Sequence, residues 1–216
     1  SRALYEHLVR NLAKTEFHVL TFHYLLPAVD WHNRVLIAVE ELKQRPILIA
    51  DAGFMYAAKM SGYAQSYDLF TPDIGELAFL ADETAPHPFY TRGFILHEGN
   101  KVPELIARAY AHDNASRYLL VKGRHDYLAD ARGIQEEINS PMIEAMEAIG
   151  GTGDTLTGIA STLIEEGMSI EKAAVIAAKT NRLAGRYAKP TPATQIIEII
   201  NLIPRALTDI LRGNKQ

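Results

Sequence analysis

A run of small residues late in the chain carries the strongest chemical signal in the sequence. Residues 150–154 read Gly-Gly-Thr-Gly-Asp, and an apolar helical pattern follows them. Glycines let consecutive backbone N–H groups point at one ligand, and the first turn of a helix adds unpaired donors at the positive end of its dipole. Such a loop suits a phosphate, and Asp154 can accept the proton of an attacking hydroxyl. The segment therefore predicts a site for phosphoryl transfer.

The segment does not match the two common glycine-rich nucleotide motifs. No lysine follows the glycines, which excludes the P-loop, and the glycine spacing differs from that of the dinucleotide-binding fingerprint. A structural alternative is a plain glycine-rich turn in which Asp154 only caps the next helix. The order of these residues, late in a chain with a sheet pattern, favours the functional interpretation.

The composition excludes several classes of function. The 216 residues carry a net charge of −4 and include no cysteine, which excludes disulfides, thiolate metal sites and cysteine nucleophiles. There is no basic block for nucleic acid, no apolar run of the roughly 18 residues that span a membrane, and no signal-peptide pattern. We therefore expect one domain over residues 1–216 in the cytoplasm, with no nucleic-acid or membrane partner.

Strand and helix patterns alternate along the chain, and these elements must position the chemistry. Four runs rich in β-branched and aromatic residues predict strands, at 17–26, 47–50, 67–70 and 118–123. A hairpin is predicted at 125–139, turning at 130–133, and a long surface loop at 81–100. The last third predicts helices after Asp154, from Ser169 to about Ala188, and from Thr191 to near Arg212. This order predicts an α/β fold with a mostly parallel sheet flanked by helices on both faces.

Polar residues follow the predicted strands at the end of the sheet where ligands bind. They are Asp51, then Asp73 and Glu76, and then Lys122. Three of them have a structural alternative, because Asp51 can cap a turn, Glu76 can be a first-turn acid and Lys122 can be a surface lysine.

The histidines and serines supply no competing site. The eight histidines form no HExxH pair, and no GxSxG elbow is present. His18 and His23 fall inside the first predicted strand, so we interpret both as packing residues.

Residues 150–158 resemble the anion-hole and catalytic-aspartate motif of the ribokinase-like superfamily. Within that superfamily the chain is most similar to the ADP/ATP-dependent NAD(P)H-hydrate dehydratases. Further segments resemble that family: 49–52 its Leu-Asp-Ala strand end, 69–77 its Thr-Pro-His-Pro-Gly-Glu block, 120–123 its strand ending in Lys-Gly, and 184–185 with 200–207 its closing helices.

The resemblance implies a ribokinase-like fold and a definite chemistry. These enzymes use ADP or ATP to activate the hydroxyl of hydrated NADH or NADPH and then eliminate it. By resemblance Asp154 is the base, and Mg²⁺ assists. Nucleotide and phosphate contacts are implied for Lys122, Gly151, Thr152, Gly153, Thr180 and Asn181. Substrate contacts are implied for Asp51, Asp73 and Glu76. The resemblance also implies a homo-oligomer, but it identifies no metal ligand.

Two departures from the family pattern keep alternatives open. Asp73 and Ile74 replace the family's histidine and second proline, so we expect substrate contacts there to differ. The family's N-terminal glycine-rich block has no counterpart in the sequence, and we expect that part of the fold to be absent. The alternatives are a sugar or small-alcohol kinase on the same fold and a non-catalytic nucleotide-binding relative.

Overall fold

The sheet determines where every other element lies. The computed structural model describes residues 2–23, 28–83 and 102–213. Its strands are β1 (Val19–Phe22), β2 (Ile47–Ala50), β3 (Leu69–Phe70), β4 (Tyr118–Val121), β5 (Asp126–Asp130) and β6 (Gly133–Ile138). They lie side by side in chain order. Pairing is parallel from β1 to β4 and antiparallel from β4 to β6, so the predicted mostly parallel sheet is confirmed.

Helices cover both faces of this sheet. They are α1 (Arg2–Asn11), α2 (Val29–Glu40), α3 (Ala52–Met60), α4 (Ile74–Ala81), α5 (Val102–Ala111), α6 (Thr152–Glu165), α7 (Ile170–Ala188), α8 (Ile196–Ile200) and α9 (Ile203–Leu211). Helices α1 to α5 pack on one face, around side chains such as Phe22 and Phe54. Helices α6 and α7 cover the other face, against Ile49 and Leu120. Because β1 to β4 succeed one another across the sheet, crossovers of a single hand leave their helices on one side.

The strands carry apolar side chains on both faces because helices cover both faces of the sheet. In β2, Leu48 belongs to one core and the next residue, Ile49, to the other, because successive side chains point to opposite faces. All four residues of β4 are buried. A strand covered on both sides shows a continuous apolar run, which is the pattern that the sequence contains.

Most predicted elements are confirmed, with shifted ends. The hairpin is formed by β5 and β6, and α7 begins directly after its N-cap Ser169. Strand β1 ends at Phe22, earlier than predicted. Residues 24–27 and 84–101 lie outside the described residues, so most of the predicted loop at 81–100 is not described.

The prediction of one helix from Thr191 to near Arg212 is wrong. Two helices, α8 and α9, occupy this region, and the N-cap of α8 is Gln195 instead of Thr191. Pro204 lies in the first turn of α9. A helix continuous through Pro204 would lose a backbone hydrogen bond and place the proline ring against the preceding turn, so the chain ends one helix and starts another.

The core on the α6–α7 side predicts a stability effect. Leu120 is fully buried, and Leu120→Ala should lower the free energy of unfolding by about 2–5 kcal/mol, because it leaves a cavity. Ile134→Ala is the control, since Ile134 is 38% exposed. It should change stability far less in the same denaturant titration. Equal losses in the two variants would contradict the placement of Leu120 in the core.

Candidate active site

Loops at one end of the sheet enclose a cleft of about 380 Å³, a volume typical of small-molecule sites. Each parallel strand contributes a residue at or near its carboxyl end: His23 from β1, Asp51 from β2, Asp73 from β3 and Lys122 from β4. The N-terminus of α6, including Asp154, lines the same cleft. The cleft thus lies where open α/β sheets bind ligands.

Asp51 is buried, and its carboxylate accepts several hydrogen bonds. Lys122 Nζ donates to Oδ1 at 2.8 Å and to Oδ2 at 2.9 Å. The hydroxyl of Thr157 donates to Oδ2 at 2.8 Å, and the amide of Ala52 donates to Oδ1 at 2.9 Å. Thr157 also shares a 2.9 Å hydrogen bond with the hydroxyl of Thr71. These bonds join the ends of β2, β3 and β4 to α6.

The Asp51–Lys122 pair sets the charge at the base of the cleft. Burial raises the pKa of Asp51, but the nearby His23 imidazole, the Lys122 charge and the hydrogen bonds from Lys122 and Thr157 outweigh burial and lower the pKa to about 2. Asp51 is therefore ionised at neutral pH and compensates the charge of Lys122. An ammonium group has three N–H donors, so one remains for a ligand after the two bonds to Asp51.

The turn before α6 depends on a glycine. Gly151 is the N-cap of α6 and has φ of +97°, in the left-handed region that favours glycine. An added Cβ there would lie 3.0 Å from Cγ1 of Ile196. The amide of Thr155 makes the first backbone bond of the helix, to the Gly151 carbonyl. The amides of residues 152–154 precede that bond, so they can donate to an anion.

Side chains fix this turn from both sides. The Thr152 hydroxyl donates to the carbonyls of Met146 and Ile149 at 3.1 and 3.2 Å. Asn181 of α7 donates to the Thr152 carbonyl at 3.0 Å and accepts from the Thr155 hydroxyl at 2.7 Å. Thr152 therefore offers its amide to a ligand, while its hydroxyl supports the loop.

Asp154 does not cap α6, which contradicts the structural alternative for this residue. It is the third residue of the helix, whose N-cap is Gly151. Its side chain is 61% exposed, and Oδ1 lies 2.9 Å from Nε2 of His23. A carboxylate in the cleft, close to free helix amides, can accept a proton from a hydroxyl that attacks a phosphate bound there.

Asp73 and Glu76 form a capping box at the start of α4. Asp73 Oδ1 accepts from the Glu76 amide at 2.7 Å, and Glu76 Oε2 accepts from the Asp73 amide at 2.8 Å. Both residues also line the cleft. Burial, followed by the charge of Asp73, raises the pKa of Glu76 to about 7. Glu76 therefore caps the helix and offers the cleft a carboxyl group that titrates near neutral pH.

Comparison with known proteins identifies the family of this chain. Residues 26–205 match the family model described as NAD(P)H-hydrate dehydratase. The chain belongs to this family. Three archaeal proteins are also similar in sequence to this chain. A protein of Methanocaldococcus jannaschii, named uncharacterized protein MJ1337, is 46% identical over 195 residues, 90% of this chain and 81% of its own length.

The other two relatives carry the family activity in their names. The bifunctional NAD(P)H-hydrate repair enzyme Nnr of Pyrobaculum aerophilum is 29% identical over 84% of this chain and 34% of its own length. The ADP-dependent (S)-NAD(P)H-hydrate dehydratase of Cenarchaeum symbiosum is 28% identical over 73% of this chain and 50% of its own length. The chain thus spans half or less of these two relatives.

Solved structures confirm the ribokinase-like fold of this dehydratase-family chain. Bacillus subtilis YxkO has a TM-score of 0.65 at 15% identity, over 94% of this chain and 71% of its own. The pyridoxal kinase of Staphylococcus aureus in complex with ADP has a TM-score of 0.64 at 12% identity, over 84% of this chain and 67% of its own. At these identities the likeness concerns the fold alone. No helix in the described ranges is long and apolar enough to cross a membrane.

The cleft contains all the site residues expected from the sequence except Gly151 and Thr180. Gly151 acts through the turn that it allows. Thr180 is fully buried in α7, and its hydroxyl has no hydrogen-bond partner among the described residues. The structure therefore does not bring Thr180 to the site that the family resemblance implied for it. Asn181 does line the cleft, where it supports the turn before α6.

The interpretation of His18 and His23 as packing residues in a strand is wrong. His18 is exposed and pairs with Glu165 at 3.0 Å. His23 is the first residue beyond β1 and contacts two carboxylates of the cleft. Since Phe22 pairs with Ala50 across the sheet, an alignment of the strand ends would place His23 beside Asp51. Because the predicted strand ran to residue 26, His23 was placed inside it instead of at its end.

The cleft wall contains a second ion pair, which no pattern in the sequence predicts. Arg182 Nε donates to Asp126 Oδ2 at 2.7 Å, and both side chains are buried. Arg182 also donates to the carbonyls of Gly123 and Arg124, at 2.9 and 3.0 Å. Burial raises the pKa of Asp126 although Arg182 opposes the change. This pair attaches the loop after β4 to α7.

The described side chains do not form a protein-held Mg²⁺ site. His23, Asp51 and Asp154 each offer one atom within 4.8 Å of the others. However, both Asp51 oxygens already accept hydrogen bonds from Lys122, and Oδ2 accepts another from Thr157. Mg²⁺ also prefers oxygen ligands to imidazole. The group therefore does not fit Mg²⁺.

The position of Gly153 beside Lys122 predicts that a substitution there lowers activity without unfolding the protein. An added Cβ would lie 3.3 Å from Lys122 Nζ, so Gly153→Ala should displace the ammonium group and lower nucleotide turnover about 10-fold or more. Stability should change by less than about 1 kcal/mol, since alanine favours a helix. Gly158→Ala is the control, because its Cβ would meet nothing within 4 Å. Parallel loss of stability and turnover in Gly153→Ala would contradict this role.

Proposed function

We propose that this protein repairs hydrated NADH or NADPH by a nucleotide-dependent dehydration. The observation that carries the proposal is the juxtaposition, in one cleft, of the Asp154 carboxylate, the free amides of α6 and the Lys122–Asp51 pair. Family membership supplies the substrate class. The relative named as an ADP-dependent dehydratase supports a nucleotide as the second reactant.

The proposed reaction has two steps. In the first, Asp154 accepts the proton of the substrate hydroxyl, whose oxygen attacks the terminal phosphoryl group of ADP or ATP. The bond from that phosphorus to the leaving nucleotide oxygen breaks. In the second, the carbon–oxygen bond of the phosphorylated hydrate breaks, inorganic phosphate leaves, and loss of a proton from the neighbouring carbon restores the dihydronicotinamide double bond.

In this proposal, some groups of the cleft bind phosphate and others contact the substrate or hold a neighbouring side chain. The amides of residues 152–154 bind the transferring phosphoryl group, and the third N–H of Lys122 donates to a nucleotide phosphate. Asp73 and Glu76 contact the substrate, and Asp51 acts through Lys122. Asp51 has no free oxygen to bind Mg²⁺. We therefore propose that Mg²⁺ enters with the nucleotide, as a counter-ion of its phosphates. The proposal also includes a cytoplasmic location and self-association.

A kinase for a sugar or another small alcohol would share the first step. It would use the same Asp154 and the same amides, and it would release a phosphorylated product. A non-catalytic relative would bind the nucleotide without turnover. The contacts described in the cleft would serve a dehydratase and a kinase equally. The reaction product therefore has to be measured to distinguish these two activities.

The decisive assay combines the protein with hydrated NADH and either ADP or ATP. The absorbance of the reduced nicotinamide should recover, with release of inorganic phosphate. Asp154→Asn should slow recovery by about 10²- to 10⁴-fold, because the base is removed. Asp30→Asn, an exposed acid in the first turn of α2, should leave the rate unchanged.

Three different results would each revise the proposal. ATP consumption with a panel of sugars and alcohols, without recovery of nicotinamide absorbance, would replace the dehydratase with a kinase. Nucleotide binding without turnover of either kind would leave only the non-catalytic alternative. Full activity of Asp154→Asn would remove Asp154 from the mechanism.

A further inference from the structure

His23 occupies a position in the cleft that the family resemblance does not explain. Its Nε2 atom lies 2.9 Å from Asp154 Oδ1 and 3.4 Å from Asp51 Oδ2. Its side chain is 38% exposed, so it is not an ordinary core residue. The single hydrogen on Nε2 can make one good hydrogen bond, and the two carboxylates compete for it.

The competition is decided by the other partners of the two carboxylates. Asp51 already accepts two bonds from Lys122, one from Thr157 and one from the Ala52 amide. Among the described residues, Asp154 accepts a hydrogen bond from His23 alone. The shorter distance also belongs to Asp154. The Nε2–H group therefore donates to Asp154 Oδ1.

We propose that His23 is a positioning residue that fixes the Asp154 carboxylate by this bond, with Oδ1 engaged and Oδ2 left open as the proton acceptor. The inference rests on the proposed function, because it assigns the accepting atom of the proposed base. A free aspartate at the surface of a helix rotates about two side-chain bonds. Fixing one oxygen reduces that freedom and keeps the other oxygen directed at the substrate hydroxyl.

The charges around His23 are consistent with this arrangement. The close contact with the Asp51 carboxylate raises the pKa of His23 most, against burial, and the charges of Asp51 and Asp154 raise it further. Lys122 lies on the other side of Asp51 and compensates that carboxylate. Protonated or neutral, the imidazole can keep a hydrogen on Nε2, so the bond to Asp154 does not require a change of protonation.

Three substitutions at this partly exposed position separate the donor from the imidazole itself. In His23→Gln the amide nitrogen reaches about as far as Nε2, whereas in His23→Asn it falls short, and His23→Leu has no donor. We expect kcat for nucleotide-dependent turnover to fall about 10- to 100-fold in the Leu and Asn variants, the loss of one hydrogen bond to a charged group. His23→Gln should stay within a few-fold of the wild type, and KM for the nucleotide should be unchanged in all three.

Three kinetic outcomes would overturn the inference. Wild-type kcat in His23→Leu would show that Asp154 needs no fixing. A His23→Gln variant as slow as His23→Leu would show that the imidazole acts otherwise, as a metal ligand or in proton transfer. A raised KM with unchanged kcat would show that His23 contacts the nucleotide. Denaturant unfolding of each variant checks that the fold is retained.

A second measurement does not depend on activity. NMR titration of the His23 imidazole, assigned by comparison with His23→Gln, should give a lower pKa in Asp154→Asn than in the wild type, because a charged acceptor is removed. An unchanged His23 titration would overturn the contact. If the wild type lacks nucleotide-dependent turnover, the proposed function fails while this titration still tests the bond between His23 and Asp154.

Discussion

The arrangement of the cleft depends on the ion pair between Asp51, which is buried, and Lys122, whose side chain is 13% exposed. Two charges taken out of water are stable only when close contact and further hydrogen bonds compensate their desolvation, and loss of one partner from such a pair typically costs about 3–5 kcal/mol. Here the Ala52 amide and the Thr157 hydroxyl supply the further bonds to Asp51. The pair thereby fixes the ends of β2 and β4 relative to α6, and it brings the Lys122 ammonium beside Gly153.

The same pair allows the two carboxylates of the cleft to differ in role. Asp51 is buried and its oxygens are fully engaged, so it is a structural charge. Asp154 is exposed, and among the described residues it accepts a hydrogen bond only from His23. Free helix amides lie next to the carboxylate that can still take a proton, which is the arrangement that a phosphoryl transfer from nucleotide to hydroxyl requires.

Much of the fold and part of the site could be predicted from the sequence. Apolar runs located the strands, and the Gly-Gly-Thr-Gly-Asp segment located the candidate phosphate site, because both signals are local. His23 was missed because a strand boundary is poorly defined by an apolar run, and an error of a few residues hides a strand-end residue. The Arg182–Asp126 pair was missed because its members lie far apart in sequence and meet only through the packing of α7. Thr180, placed by family resemblance, is buried because its face of α7 packs inward.

The proposed reaction requires that the N-terminus of α6 bind the nucleotide phosphates. Amide NMR spectra recorded during titration with ADP test it most directly, because the amides of residues 151–154 should shift while those of the exposed Gly158 and of the β5–β6 hairpin stay unchanged. We predict saturable shifts confined to the start of α6 and the loop of Lys122. Saturable shifts elsewhere, with the α6 amides unaffected, would contradict the claim.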